Sequence, residues 1–387
     1  MKKRLFSGLL AVVLLCAGCA LATAPEPEIE IILPGASSPG LPTPAPTPTP
    51  APTQKAASAS APEGTMSVTL TFTGDLTIGT NYKVYRKLDS SIFGKELKRQ
   101  KNQPDFFLRN IKEVLLSDDL TVVNFEGTLA DSVVIPASKK DNQFLFLAPV
   151  SYADALLPNG IEAATLENNH VMDFGEDGYQ STMNALENAG IVCANSTQLG
   201  IFEVNGVKIG FLAYQTFNGG YDRIRETLAQ DIQSARDQGC GIVTVSYHWG
   251  DELDYSPNQR QQDLAHDTID AGADLVIGHH SHRINPIEEY QGKYIVYSLG
   301  NFSFSGNNKP SDMLTYLFQI RFKYRRGEMY GTDFRIIPCR ISSKQDYNDF
   351  AVTPLTETRY IDTILSTLRN YGSKINNPVP SYPLEWD

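Results

Sequence analysis

From Val68 onward, short apolar runs alternate with amphipathic stretches. "VTLTFTG" (68–74), "LTVVNF" (120–125), "IEAATL" (161–166), "IVCAN" (191–195), "VKIGFLAY" (207–214), "GIVTVSY" (241–247) and "DLVIG" (274–278) are rich in branched and small apolar residues. Runs of this length, bounded by polar or turn-forming residues, predict buried strands. Between several of them, segments 104–117, 178–189, 224–238 and 257–271 carry helical spacing. Strand–helix alternation predicts an α/β body with buried sheets. "FEVNGVKIGFLAY" reads as a hairpin with Asn205-Gly206 at its turn. After Tyr290 the pattern turns all-β, in "KYIVYSLGNFSF", "MLTYLFQIRFKY" and "MYGTDFRIIPCRI". A mixed, two-sheet core therefore fits better than one doubly wound sheet. Residues 358–371 read as a final helix, and the tail beyond it as loosely held.

The first 64 residues follow other rules. Lys2, Lys3 and Arg4 precede an apolar run, residues 5–15, that is too short to span a bilayer. This predicts a secretory signal over residues 1–18. "LLCAGCA" ends it, and Ala17-Gly18-Cys19 fits a lipoprotein cleavage site with Cys19 as the lipidated residue. Residues 19–64 are Pro/Thr/Ala/Ser-rich without aromatics, so they offer too little apolar surface to offset ordering entropy. They read as a disordered tether between a membrane and a body that begins at residue 65. The expected location is the extracytoplasmic face of the cell membrane.

Charge narrows the partners. The chain carries a net charge of -11, and residues 1–64 hold four basic and four acidic side chains, so all of it falls on the body. An acidic body repels nucleic acid and anionic polymer unless a local cation intervenes. Cys193, Cys240 and Cys339 are odd in number and far apart, which predicts buried small hydrophobes rather than disulfides or a thiolate metal site.

Polar residues gather just past the strands. Asp75 follows the first run, Asn124 and Glu126 end the second, and "ENNHVMDFGEDG" brings Asn168, Asn169, His170 and Asp173. His248, Trp249 and Glu252 follow "GIVTVSY", and "DLVIG" runs into His279, His280 and His282. In open α/β sheets, ligands bind beyond the carboxyl ends of strands, so these loops could share one crevice. Five of the six histidines sit in them; His266 falls in a predicted helix and reads as a surface residue. Each element alone has a structural explanation: a turn, a helix cap, or packing for Trp249. Together, Asp, Glu, Asn and His form a ligand set for Mn²⁺, Fe²⁺, Zn²⁺ or Mg²⁺.

"FTGDLTIG", "VNFEGTL", "ENNHVMDFGEDG", "VSYHWGDE", "AGADLVIGHHSHRINPIE" and "YSLGNFSF" resemble, in order and spacing, the CapA family of poly-γ-glutamate capsule biosynthesis proteins. That family is similar to the calcineurin-like metallophosphoesterases. The resemblance implies a four-layer α/β/β/α sandwich of the metallo-dependent phosphatase type over residues 65–310, with 311–387 as a β-rich extension on the same domain. It also implies metal ligation by Asp75, Glu126, Asn169, His248, His280 and His282, with His279 as an alternative to His280. His170 takes the position of the histidine that assists the leaving group, and Asp173 joins it as a second catalytic candidate. Three departures stand out. Thr77 occupies the place of a superfamily histidine, Glu126 in "NFEG" stands where the second-motif aspartate is expected, and Glu167 replaces a usual small residue.

Two functions are open at this point. One is a surface-anchored, metal-dependent phosphoesterase-like hydrolase acting in synthesis, export or processing of poly-γ-glutamate or a related anionic exopolymer. The other is a non-catalytic, metal-mediated polymer-binding or scaffold component, working with membrane-bound polymer synthase proteins. A metal-free hydrogen-bonded network is the plainest alternative.

Overall fold

A computed structural model of the chain describes residues 30–33, 64–140 and 142–386. Among them, two large sheets face each other. The first has eight strands, ordered Thr353–Pro354, Glu328–Arg340, Leu314–Arg325, Thr65–Thr77, Leu120–Phe125, Ala163–Thr165 and Val192–Ala194, with Asn301–Phe304 also pairing to Thr65–Thr77. The second has six, ordered Gly200–Val204, Val207–Gln215, Cys240–His248, Leu275–His279, Lys293–Val296 and Ile287–Tyr290.

Side chains alternate between faces along each strand, so a strand buried on both sides feeds two cores. Leu120 and Val122 pack between the sheets with Leu70, Phe72, Phe211, Ile242 and Ile277. Val123 and Phe125 point the other way, onto Met183 and Leu186 of the helix Gly175–Asn188 and Phe93 and Leu97 of the helix Ile92–Arg99. Val243 and Val245 meet Ile224, Leu228 and Ile232 of Gly220–Asp237 and Leu264 and Ile269 of Gln259–Asp270. The result is helix, sheet, sheet, helix: the expected four-layer α/β/β/α sandwich.

The seven predicted strands are present, with ends shifted by a few residues at most. Asn205 and Gly206 both have positive φ, 50° and 81°, as a two-residue hairpin turn requires. The predicted helix over 104–117 is instead two short turns, Pro104–Phe107 and Lys112–Leu115. Phe107 O accepts from Val352 N at 3.1 Å, so a tertiary bond takes the carbonyl that a continuing helix would use. The helix Ile92–Arg99 was not anticipated; Ser91 caps it by accepting from Gly94 N at 2.9 Å.

Three expectations are corrected. Residues 30–33, inside the stretch read as a disordered tether, form the strand Glu30–Ile32, antiparallel to Ser132–Val134, with Ile31 and Leu33 buried beside Tyr82, Val133 and Leu145. Two apolar side chains meeting a ready hydrophobic patch outweigh the local composition. The C-terminal tail is held, with Val379 N donating to Ile287 O and Ile336 N to Pro383 O, and Val379 and Tyr382 buried. His266 is no free surface residue: its Nε2 lies 2.8 Å from the fully buried Glu288 and its ring stacks on Tyr290 at 4.0 Å. Cys19 and the remainder of residues 1–63 lie outside the described residues. No helix among the described residues is long and apolar enough to cross a membrane.

Candidate metal centre

Five strand ends meet where the two sheets come together. On the first sheet Asp75 pairs in register with Asn124 on one side and Asn301 on the other. On the second, His248 pairs with His279. The pairing of Thr65–Thr77 with Leu120–Phe125 slips between Phe72 and Asp75, and such an irregularity re-aims the side chains that follow it. Glycines allow the close approach. A Cβ at Gly74 would overlap Gly300 O, and one at Gly278 would overlap Tyr297 O and the indole nitrogen of Trp249. Trp249 itself is fully buried and donates to Tyr297 O at 3.0 Å, so it packs and does not ligate.

The donor atoms fall into two groups. His248 Nε2 lies 2.8 Å from Asn169 Oδ1, 3.0 Å from His280 Nδ1 and 3.4 Å from Glu126 Oε1. Asp75 places Oδ2 at 3.2 Å from His282 Nδ1, and Oδ1 at 3.2 Å from His279 Nδ1. Ligand atoms of Asp75, Glu126 and His282 lie within 4.8 Å of one another, so Glu126 belongs to both groups. Atoms bound to one ion at about 2.0–2.2 Å stand about 3 Å apart, the spacing seen around His248. One ring nitrogen cannot hydrogen-bond three such partners, whereas a shared cation could be coordinated by all of these atoms. Glu126 Oε2 is buried and without a hydrogen-bond partner, again as a ligand oxygen would be. The donor set fits a divalent ion.

The backbone is committed to this arrangement. His280 and His282 both sit at positive φ, 90° and 52°, a conformation that costs free energy and persists only where surroundings enforce it. Asn124 braces the centre, donating to Asp75 Oδ1 at 2.8 Å, and Asn168 in turn donates to Asn124 Oδ1 at 3.1 Å. Asn301 Oδ1 lies 3.0 Å from His282 Nδ1. Of the alternatives in the histidine cluster, His280 joins His248 and Asn169, while His279 turns to Asp75. Thr77 Oγ1 is buried without a hydrogen-bond partner, so the hydroxyl that replaces the superfamily histidine is not tied into the network.

Electrostatics follow from crowding. Burial raises the Asp75 carboxyl, but the imidazoles of His279 and His282 hold it well below the usual carboxylate value. Glu126 is pushed up to about 8 by burial and by the neighbouring Asp75 charge. Burial and His280 hold His248 well below the ordinary imidazole value, and burial and His282 lower His280. His282 is raised to about 9: burial opposes its charge, but the hydrogen bond to Asp75 and the charges of Glu126 and Asp75 prevail. Imidazoles whose charged form is disfavoured, set against an amide oxygen and a carboxylate, are a donor set that suits a cation.

His170 stands beside this cluster, not in it. Its Nδ1 is 3.0 Å from Asp173 Oδ2, which also accepts from Phe146 N at 2.8 Å. Lys139 Nζ lies 3.7 Å from the other Asp173 oxygen. Burial works against a charged His170, but the Asp173 hydrogen bond raises its pKa overall. Asp173 thus orients His170 and keeps it protonated more readily than a free histidine.

Both groups open onto a cleft of about 960 Å³ lined by Asn169, His170, His282 and Glu252. Its far wall is aromatic. Phe304 lies 5.8 Å from the His282 ring, Phe146 5.9 Å from Phe304, and Phe144, 62% exposed, 6.5 Å from Phe146. Sequence reasoning singled out the six metal candidates because each lies at or a few residues past the end of a strand. It missed Lys139 and the bracing role of Asn301, whose only signal was its place in "SLGNFSF".

The chain is 27% identical over 276 residues to "Capsule biosynthesis protein CapA" of Bacillus anthracis, covering 66% of this chain and 64% of that protein. It is 39% identical over 155 residues to "PGA biosynthesis protein CapA" of Bacillus subtilis, covering 35% and 41% respectively. A "Probable polyglutamine synthesis accessory protein" of Mycobacterium tuberculosis is 30% identical over 219 residues, covering 47% of this chain and 55% of its own length. The matches therefore span about half the length of these relatives. Among solved structures, sulfate thiohydrolase SoxB of Thermus thermophilus aligns with a TM-score of 0.39 at 11% identity, over 81% of this chain and 62% of that one, a likeness too slight to bear on function. The sequence model of the family described as "Bacterial capsule synthesis protein PGA_cap" matches residues 69–305, more than half of the chain and every strand end that builds the cluster, and the chain belongs to that family.

Proposed function

We propose that this chain acts at the cell envelope in the synthesis, export or processing of poly-γ-glutamate or a related anionic exopolymer, through a divalent metal held by Asp75, Glu126, Asn169, His248, His280 and His282. The observation that carries this reading is the convergence of those six side chains at one end of a cleft. When bound, a divalent ion would supply Lewis acidity and lower the pKa of a coordinated water. In the same reading, Asp173 fixes the His170 ring, and His170 presents its other nitrogen to the cleft as a proton donor for a leaving oxygen or nitrogen. The aromatic wall of Phe146 and Phe304 excludes water from one side of the reacting group. Family membership and the names of the capsule-synthesis relatives support the polymer. Residues 1–18 as a signal and acylation at Cys19 would anchor the protein to the membrane, near polymer synthase partners.

A second reading, metal-mediated polymer binding without turnover, is favoured by Thr77, because the cluster has one imidazole fewer than the superfamily pattern. One experiment separates the two. The purified chain is analysed for metal, then assayed with manganese or zinc on chromogenic phosphoesters and on poly-γ-glutamate. Stoichiometric metal with hydrolysis supports the enzyme, and metal-dependent polymer retention without products supports the binding role. Absence of metal after reconstitution, with His248→Ala behaving like the parent, would remove both.

A further inference from the structure

Arg283 is only 7% exposed, yet it lines the cleft next to His282. One terminal nitrogen donates to His282 O at 2.7 Å and the other to Ser311 Oγ at 2.7 Å. Both acceptors are neutral. The guanidinium is also 5.6 Å from the Tyr255 ring. Arg236, Arg321 and Arg340 each reach a carboxylate. Arg283 reaches none among the described residues. Glu252, on the same cleft, is exposed and makes no ion pair with it.

A guanidinium carries five N–H donors and stays charged at any relevant pH. Burying it against two neutral acceptors leaves both charge and donors uncompensated, which a folded chain tolerates where a ligand supplies the counter-charge. The planar fork matches an oxyanion in two-point contact. We propose that Arg283 anchors an oxyanion, carboxylate or phosphate, of the molecule lying in the cleft, and so sets the register of that molecule against the metal cluster. This rests on the cleft being the polymer site of the proposed function, and it names the group recognised there. A polymer with one carboxylate per repeat would offer Arg283 a contact at each step.

The test uses the full chain loaded with manganese, and a parallel chelated sample. Binding of inorganic phosphate and of a γ-linked glutamate oligomer is measured by calorimetry for the parent, Arg283→Gln and Arg283→Lys. Arg283→Gln is expected to weaken at least one probe tenfold or more while metal content stays at the parent level. Loss for the oligomer alone identifies a carboxylate, and loss for phosphate alone a phosphate. Arg283→Lys keeps the charge but not the fork, so it should bind more weakly than the parent; should Arg283→Gln fail to fold, this variant decides. Equal affinities in parent and folded variants, or a parent that binds neither probe, would overturn the proposal. If the parent holds no metal but still loses anion binding on Arg283→Gln, the metal reading fails and the anchor stands.

Discussion

Asn169 and His170 are adjacent in the turn that follows Ala163–Thr165, and their side chains leave it in different directions. Asn169 Oδ1 reaches His248, while His170 turns to Asp173 and the cleft. Replacing His170 by Asn should leave metal content unchanged and lower hydrolysis about 10²–10⁴-fold, as for a lost general acid. Turnover equal to the parent would show that His170 only packs against Phe146. Protons also compete with metal here. Glu126, raised to about 8, and His282, raised to about 9, must each give up a proton to ligate. Metal affinity should therefore rise with pH from 6 to about 9 and release protons on binding, which calorimetry in buffers of different ionisation enthalpy reads directly. A pH-independent affinity would place the ion elsewhere. Asp75, Glu126, His248 and the histidine cluster were legible because each closes an apolar run. Arg283 was not, because its significance lies in lacking a carboxylate, and sequence does not show what a side chain fails to meet.

At the scale of elements, the strands were legible to within a few residues, since runs buried on both faces leave a continuous apolar signature. Helices carried by one stripe were less so. Ile92–Arg99 is anchored mainly by Phe93 and Leu97, four residues apart with Lys95 and Glu96 between them, and by the partly buried Ile92. The strand Glu30–Ile32 was invisible for a different reason: its pairing partner Ser132–Val134 is about a hundred residues away, and composition speaks only for its own neighbourhood. Leu33 is 2% exposed in that patch. Leu33→Ala should lower stability by about 2–5 kcal/mol, the range for a buried leucine truncated to alanine. Urea denaturation of parent and variant checks it, and a midpoint unchanged at equal slope would mean that the segment docks without contributing.

For the whole molecule, the proposed function divides the holding of an anionic polymer between an acidic surface and a buried cation site. In that proposal the net charge of -11 would keep polymer off the general surface, and the cleft would admit it locally. The proposed membrane anchoring rests on acylation of Cys19. Cys19→Ala should move the protein from the membrane fraction to the soluble one, with the thermal melt of the body unchanged; fractionation identical to the parent would exclude acylation there. Two acyl chains are expected, since one binds only reversibly. The sheet order carries one more consequence. Thr65–Thr77 lies between Leu120–Phe125 and Leu314–Arg325, so the first long strand of the body completes its pairing only with a strand some 240 residues later. Synthesis that halts at residue 305, where the family match ends, leaves Val68, Leu70 and Phe72 on an open edge. The nascent chain thus has no finished sheet to fold into until its last fifth has emerged, and the stretch that carries the histidine cluster is not a folding unit without the strands that follow it.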